Sequence, residues 1–102
     1  MDMSEIMRQA QQMQQKLNDV QNELAAKTVT ASVGGGMVSV TINGKKELLS
    51  IQIDKEVINP DDQVMLQDLI VAAVNEGNKK AQDMAQAEMR KLTGGVNIPG
   101  IF

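Results

Sequence analysis

The apolar residues of this 102-residue chain change period twice, and that change constrains the fold more than any other feature. Met3, Ile6, Ala10, Met13, Leu17, Val20 and Leu24 step by 3, 4, 3, 4, 3 and 4, an unbroken heptad seam. The spacing predicts a helix over 2–27, opened by Asp2 as N-cap with Glu5 at the third helical position. Between Glu5 and Asp19 there is no acid; Arg8, Lys16, Asn18 and five glutamines make that stretch neutral to basic. From Thr28 the period falls to 2, and such a run cannot continue a helix.

Over 28–54 three alternating runs follow. Val29, Ala31 and Val33 form the first, Val38, Val40 and Ile42 the second, and Leu49, Ile51 and Ile53 the third. Gly34-Gly35-Gly36 separates the first two, and Asn43-Gly44 predicts a tight type I′ hairpin between the others. Connections this short force antiparallel neighbours, so the middle reads as a three-stranded meander with one oily face. That face needs a helical cover.

The cover is predicted over 60–92. Asn59 reads as N-cap, Pro60 as the first helical residue, and Asp61 and Asp62 as acids on the positive end of the dipole. Leu66, Leu69, Ile70, Ala73, Val74, Ala81, Met84, Ala85 and Leu92 keep helical spacing, and Gly77 is tolerated at a cost of about 1 kcal/mol. Thr93-Gly94-Gly95 ends the helix, and 93–102 is a tail without a period. Such a helix is about 50 Å long, against about 30 Å for a small domain. Its far half must pair with the first helix as an arm, pack on a second subunit, or both. The expected state is a homo-oligomer, most simply a C2 dimer.

Composition removes several function classes. The chain has no His, Cys, Trp or Tyr, and its single aromatic is Phe102. That leaves no imidazole base, no thiolate and no usual zinc site, so no catalytic residue, metal or cofactor is expected. The longest apolar run, Leu69 to Val74, is six residues, against about 20 for a membrane span. The N-terminus lacks signal-peptide character, so a cytoplasmic protein without membrane or small-molecule partners is expected. Net charge is −3 and the sequence pI near 4.8, so any nucleic-acid contact must rest on local charge placement.

The glycine triplet lacks both phosphate-loop patterns and sits between strands, so it reads as a hairpin connection. Asp61 and Asp62 are explained by the helix dipole rather than by a metal. Met3, Met7, Met13, Met84 and Met89 fall on or beside the apolar stripes and read as core filler. The basic residues carry more. Lys79 and Lys80 recur as Arg90 and Lys91 eleven residues later, close to three turns and about 16 Å along one side of the helix. Two adjoining basic ridges of this kind suit a phosphate backbone. Against them stand Glu76, Asp83 and Glu88, spaced to pair with Lys80, Lys79 and Lys91, whereas Arg90 has Gln86, Ala87, Thr93 and Gly94 at those spacings. Without aromatics to stack bases, duplex rather than single-stranded contact is the plausible mode. The alternative is a protein-interaction adaptor that holds a partner helix along the heptad seam.

The order of elements resembles the YbaB/EbfC family of bacterial nucleoid-associated proteins. The resemblance runs through Met7 to Lys16, Gly34-Gly35-Gly36-Met37-Val38, Val40-Thr41-Ile42-Asn43-Gly44, Ile51-Gln52-Ile53-Asp54, Met65 to Glu76 and Leu92-Thr93-Gly94-Gly95. It covers essentially the whole chain. It implies an α+β fold in a tweezer-like homodimer that binds double-stranded DNA with little sequence specificity and locates to the nucleoid. It also implies contacts on the two helices, which by position makes Arg8, Lys16, Lys79, Lys80, Arg90 and Lys91 the candidate DNA-binding residues.

Overall fold

The computed structural model describes residues 2–93; the expected tail lies, from residue 94 onward, outside them. The elements run α1 (Met3–Ala26), β1 (Thr28–Val33), β2 (Val38–Asn43), β3 (Leu48–Ile53), a single 3-10 turn (Lys55–Val57) and α2 (Gln63–Thr93). The sheet is antiparallel in the order β1-β2-β3. Fold class and element order are those expected from the periods.

The alternation sorts the sheet into two faces. Val38, Val40 and Ile42 are buried beneath α2, where Ala73 and Ala81 meet them with no exposed surface. Fully burying a Val or Ile side chain stabilises by about 1.5–3 kcal/mol. The opposite face carries Ser32 beside Ser39 and Thr30 beside Thr41, and the first two share a 2.7 Å hydroxyl hydrogen bond. The helix lies over β1 and β2 and leaves β3 uncovered, so Leu48, Leu49 and Ile51 stay at least 40% exposed. A bulge opposite Ile42 adds one residue to β3 there.

Gly77 allows the helix to come this close. A Cβ at that position would stand 2.6 Å from Ile42 Cδ1 and 2.9 Å from Val40 Cγ2. In the Gly34-Gly35-Gly36 connection all three residues have φ between 62° and 94°, a region that L side chains rarely adopt. The triplet is therefore a hairpin loop, as expected.

Three local expectations are corrected. The β2–β3 connection is not a two-residue type I′ turn, because Gly44 is not in the left-handed region. Lys46 N donates to Asn43 O and Asn43 N to Glu47 O, which closes a three-residue loop with Lys46 at φ 66°. Secondly, α2 begins at Gln63 rather than at Pro60. Asn59 Oδ1 accepts from Asp61 N and Asn59 O from Asp62 N, so the Asn59–Asp62 stretch is a turn that absorbs the proline. Asp62 then accepts from Met65 N at the start of the helix. Thirdly, the methionines are not uniformly core. Met89 is buried, but Met3, Met7 and Met13 are 47–68% exposed.

Those three lie on the first half of α1. Asp2 caps this helix by accepting from Ser4 N, as expected. Along its seam burial rises toward the C-terminus: Met3, Ile6 and Met13 are exposed, Leu17 and Val20 half-buried, Leu24 buried. Only the last turns of α1 pack on the body, giving an elongated molecule of 70 × 20 × 17 Å.

Candidate nucleic-acid interface

The root of α1 is fixed to the hairpin and to α2 by hydrogen bonds. Gly44 N donates to Leu24 O at 2.8 Å and to Lys27 O at 3.0 Å. Asn43, 3% exposed, donates through Nδ2 to Ala25 O and Glu47 Oε1, and accepts at Oδ1 from Lys45 N and Glu47 N. A buried amide with all these partners holds one loop conformation. Gly44 is required by proximity, not by dihedral angle: a Cβ there would lie 2.7–2.9 Å from Leu24 Cδ2, O and Cβ.

Glu88 forms the second tie. Its carboxylate takes Lys27 of the α1 terminus and Lys91 of its own helix, the latter at 3.4 Å. The hydrogen bond from Lys27 is the main reason its pKa falls below 4.5, and the same bond raises Lys27 above 10.5. The Glu88 side chain is 11% exposed, so this clasp is shielded on the acid's side and open on the lysines' side.

The candidate cations divide into three groups. Arg8 and Lys16 are exposed on the stretch of α1 that precedes its packed end. Lys79 and Arg90 lie on the outward side of α2, and both are exposed. Lys80 and Lys91 lie on the flank toward β1, where Lys80 Nζ donates to Thr30 O at 3.2 Å and Lys91 meets Glu88. The ion pairs that spacing allows for Lys80 with Glu76 and for Lys79 with Asp83 do not form among the described residues. A strand carbonyl takes Lys80 instead. Lys91 with Glu88 is the one of the three expected pairs that forms.

Sequence reasoning missed Lys27, Lys45 and Lys46. The signal available for the last two was their place directly after Asn43-Gly44, at a hairpin tip. The local placement of the net charge of −3 is also uneven. Residues 54–62 carry Asp54, Glu56, Asp61 and Asp62 against Lys55, which accounts for the whole imbalance; elsewhere nine bases meet nine acids. This acidic stretch joins β3 to the start of α2, about 40 Å of helix from Arg90 and Lys91. Among the described residues no group of His, Cys, Asp and Glu is arranged to hold a metal, and no helix is long and apolar enough to cross a membrane.

Comparison with known proteins agrees with this architecture. A nucleoid-associated protein of Syntrophobacter fumaroxidans is 56% identical over 95 residues, covering 93% of this chain and 86% of the relative. One from Clostridium novyi is 54% identical over 102 residues, covering 100% of this chain and 90% of the relative. The crystal structure of an uncharacterized protein from Helicobacter pylori superposes with a TM-score of 0.82 at 28% identity, over 92% of this chain and 99% of that one. These relatives are named for nucleoid association and not for an enzymatic activity. The profile of the YbaB/EbfC DNA-binding family matches residues 1–96, and with this α-βββ-α frame the chain belongs to that family.

Proposed function

We propose that this protein binds duplex DNA in the nucleoid with little sequence specificity, through phosphate contacts from lysine and arginine on its two helices. The observation that carries the reading is the segregation of charge. All of the net −3 belongs to residues 54–62, and Arg8, Lys16, Lys79, Lys80, Arg90 and Lys91 are exposed along α1 and α2 away from it. Helical cations spaced by about 16 Å suit a backbone that is read by charge. The absence of aromatics in residues 1–101 favours duplex over base-stacked single strands. Named relatives that are nucleoid-associated proteins support the same location.

The working form is a homodimer. The uncovered strand supports it: Leu49 and Ile51 of β3 and Val71 of α2 are 40–58% exposed, and a cavity of about 390 Å³ is lined by Ile58, Pro60, Leu66 and Ile70. Large apolar side chains this exposed on so small a chain suit a second copy. The adaptor reading keeps one observation in its favour, the exposed seam of Met3, Ile6 and Met13. Charge reversal at Lys79, Lys80, Arg90 and Lys91 separates the two. It abolishes DNA association if the helical cations bind phosphate, and leaves capture of a partner helix intact if the seam is the functional surface.

A further inference from the structure

The β2–β3 hairpin breaks a local rule. In a three-residue loop of this kind the last position is left-handed and normally glycine, because a side chain there is strained. Here it is Lys46 at φ 66°, preceded by Lys45. Strain retained in a loop that is over-determined by its surroundings is a pointer to function. The over-determination is the Asn43 network, which fixes both the Lys45 and the Glu47 amides.

The obvious structural role for these lysines is already filled. A helix C-terminus attracts cations because its last carbonyls lack partners. At the end of α1, however, Glu23 O accepts from Lys27 N, Leu24 O from Gly44 N, and Ala25 O from Asn43 Nδ2. The neighbouring carboxylate of Glu47 is held by Asn43 Nδ2. Neither Lys45 nor Lys46 forms an ion pair among the described residues, and both are exposed. They stand with Gln21 of α1 and Gln82 of α2 around a cleft of about 190 Å³ where the two helices meet. Two cations and two amides, which can turn their donors outward, are the groups that hold a phosphate oxygen.

We propose that Lys45 and Lys46, with Gln21 and Gln82, form a phosphodiester-binding site at the root of the helical arms, a DNA contact additional to those on the helices themselves. The site rests on the duplex-binding reading above. The hairpin supplies a fixed contact where α1 and α2 diverge, and the lysine at the strained position lines the cleft and forms no local ion pair among the described residues.

The test measures binding of a labelled random-sequence duplex as a function of salt for four proteins. They are the wild type, Lys45→Gln/Lys46→Gln, Lys46→Gly and, as a control, Lys55→Gln, which removes one charge from the acidic stretch. Each phosphate contact contributes about 0.9 to the log–log salt slope. For each protomer that contacts the duplex, the double variant is expected to flatten the slope by about 1.8 and Lys46→Gly by about 0.9, with Lys55→Gln unchanged. Lys46→Gly also raises the melting temperature, since glycine relieves the left-handed strain, so its weaker binding is not a folding defect. Wild-type slope in both hairpin variants, or an equal loss in Lys55→Gln, overturns the hairpin site and leaves the helical reading standing. A wild type that does not bind the duplex at low salt overturns both.

Discussion

Replacing Gly44 by alanine tests how the arm is joined to the sheet. The added Cβ would meet Leu24 O at 2.8 Å and Leu24 Cβ at 2.9 Å, atoms that cannot rotate away as a side-chain tip can. Ordinary contact needs about 3.4 Å or more, so the end of α1 must retreat by about 0.6 Å. That retreat stretches both hydrogen bonds from Gly44 N, to Leu24 O and to Lys27 O, and loosens buried Leu24. Overpacking costs about 1–3 kcal/mol and each of the two weakened hydrogen bonds up to about 1 kcal/mol, for a total of about 1–5 kcal/mol. In a domain of this size that lowers the melting temperature by at least about 4 °C. Circular dichroism at a fixed protein concentration reads it, since the chain has no Trp or Tyr to report by fluorescence. Gly44→Asn sharpens the test. Asparagine tolerates the left-handed dihedral of a type I′ turn, so a two-residue hairpin would accept it. Steric proximity rejects it as firmly as alanine. A Gly44→Asn melt within about 2 °C of wild type, less than about 0.5 kcal/mol, would refute the reasoning.

Three further outcomes are expected. Gly77→Ala gains about 1 kcal/mol of helix propensity but forces a Cβ to 2.6 Å from Ile42 Cδ1 in a buried core, so a net loss of about 1 kcal/mol, 4–8 °C in thermal melts, is expected. Glu88→Gln releases Lys27 and Lys91, so duplex affinity rises in anisotropy titrations and the salt slope steepens by about 0.9 per lysine freed. Because the folded pKa of Glu88 lies below 4.5, the stability it contributes is complete above that pH and lost as pH falls through the lowered value. Lys27, raised above 10.5, contributes below that pH and loses its contribution as pH rises through the raised value. Acid melts of Glu88→Gln should therefore lack part of the wild-type decline below pH 4.5. Ile51→Glu, on the uncovered strand, is expected to convert a dimer to a monomer by light scattering; an unchanged mass would remove β3 from the dimer surface.

The periods carried the fold because they are local. Seven residues from Met3 to Leu24 at 3–4 spacing and three runs at spacing 2 determine which face of each element is apolar, whatever the rest of the chain does. What escaped the sequence depends on distances between elements. Gly77 reads as a weak point in a helix until Ile42 is seen against it, and Gly44 reads as a turn glycine until Leu24 is seen against it. Asn-Gly introduces loops of two or three residues alike, and the choice here follows the partners that buried Asn43 finds in Ala25, Lys45 and Glu47. Within the candidate interface, the ridges of Lys79, Lys80, Arg90 and Lys91 follow from helical arithmetic alone. Lys80 reaching Thr30, fifty residues away, and Lys27 reaching Glu88 do not. The acidic stretch 54–62 was visible in the sequence, but its distance from the arms required the length and direction of α2.

The central claim is that exposed helical cations neutralise duplex phosphates despite a net charge of −3. Its most direct test is the anisotropy of a labelled random-sequence duplex titrated with the wild-type protein at several salt concentrations. The account predicts binding whose logarithm falls with log salt at a slope of about −4 to −7, several phosphates per dimer at about 0.9 each. Absence of binding at low salt, or binding indifferent to salt, would contradict it.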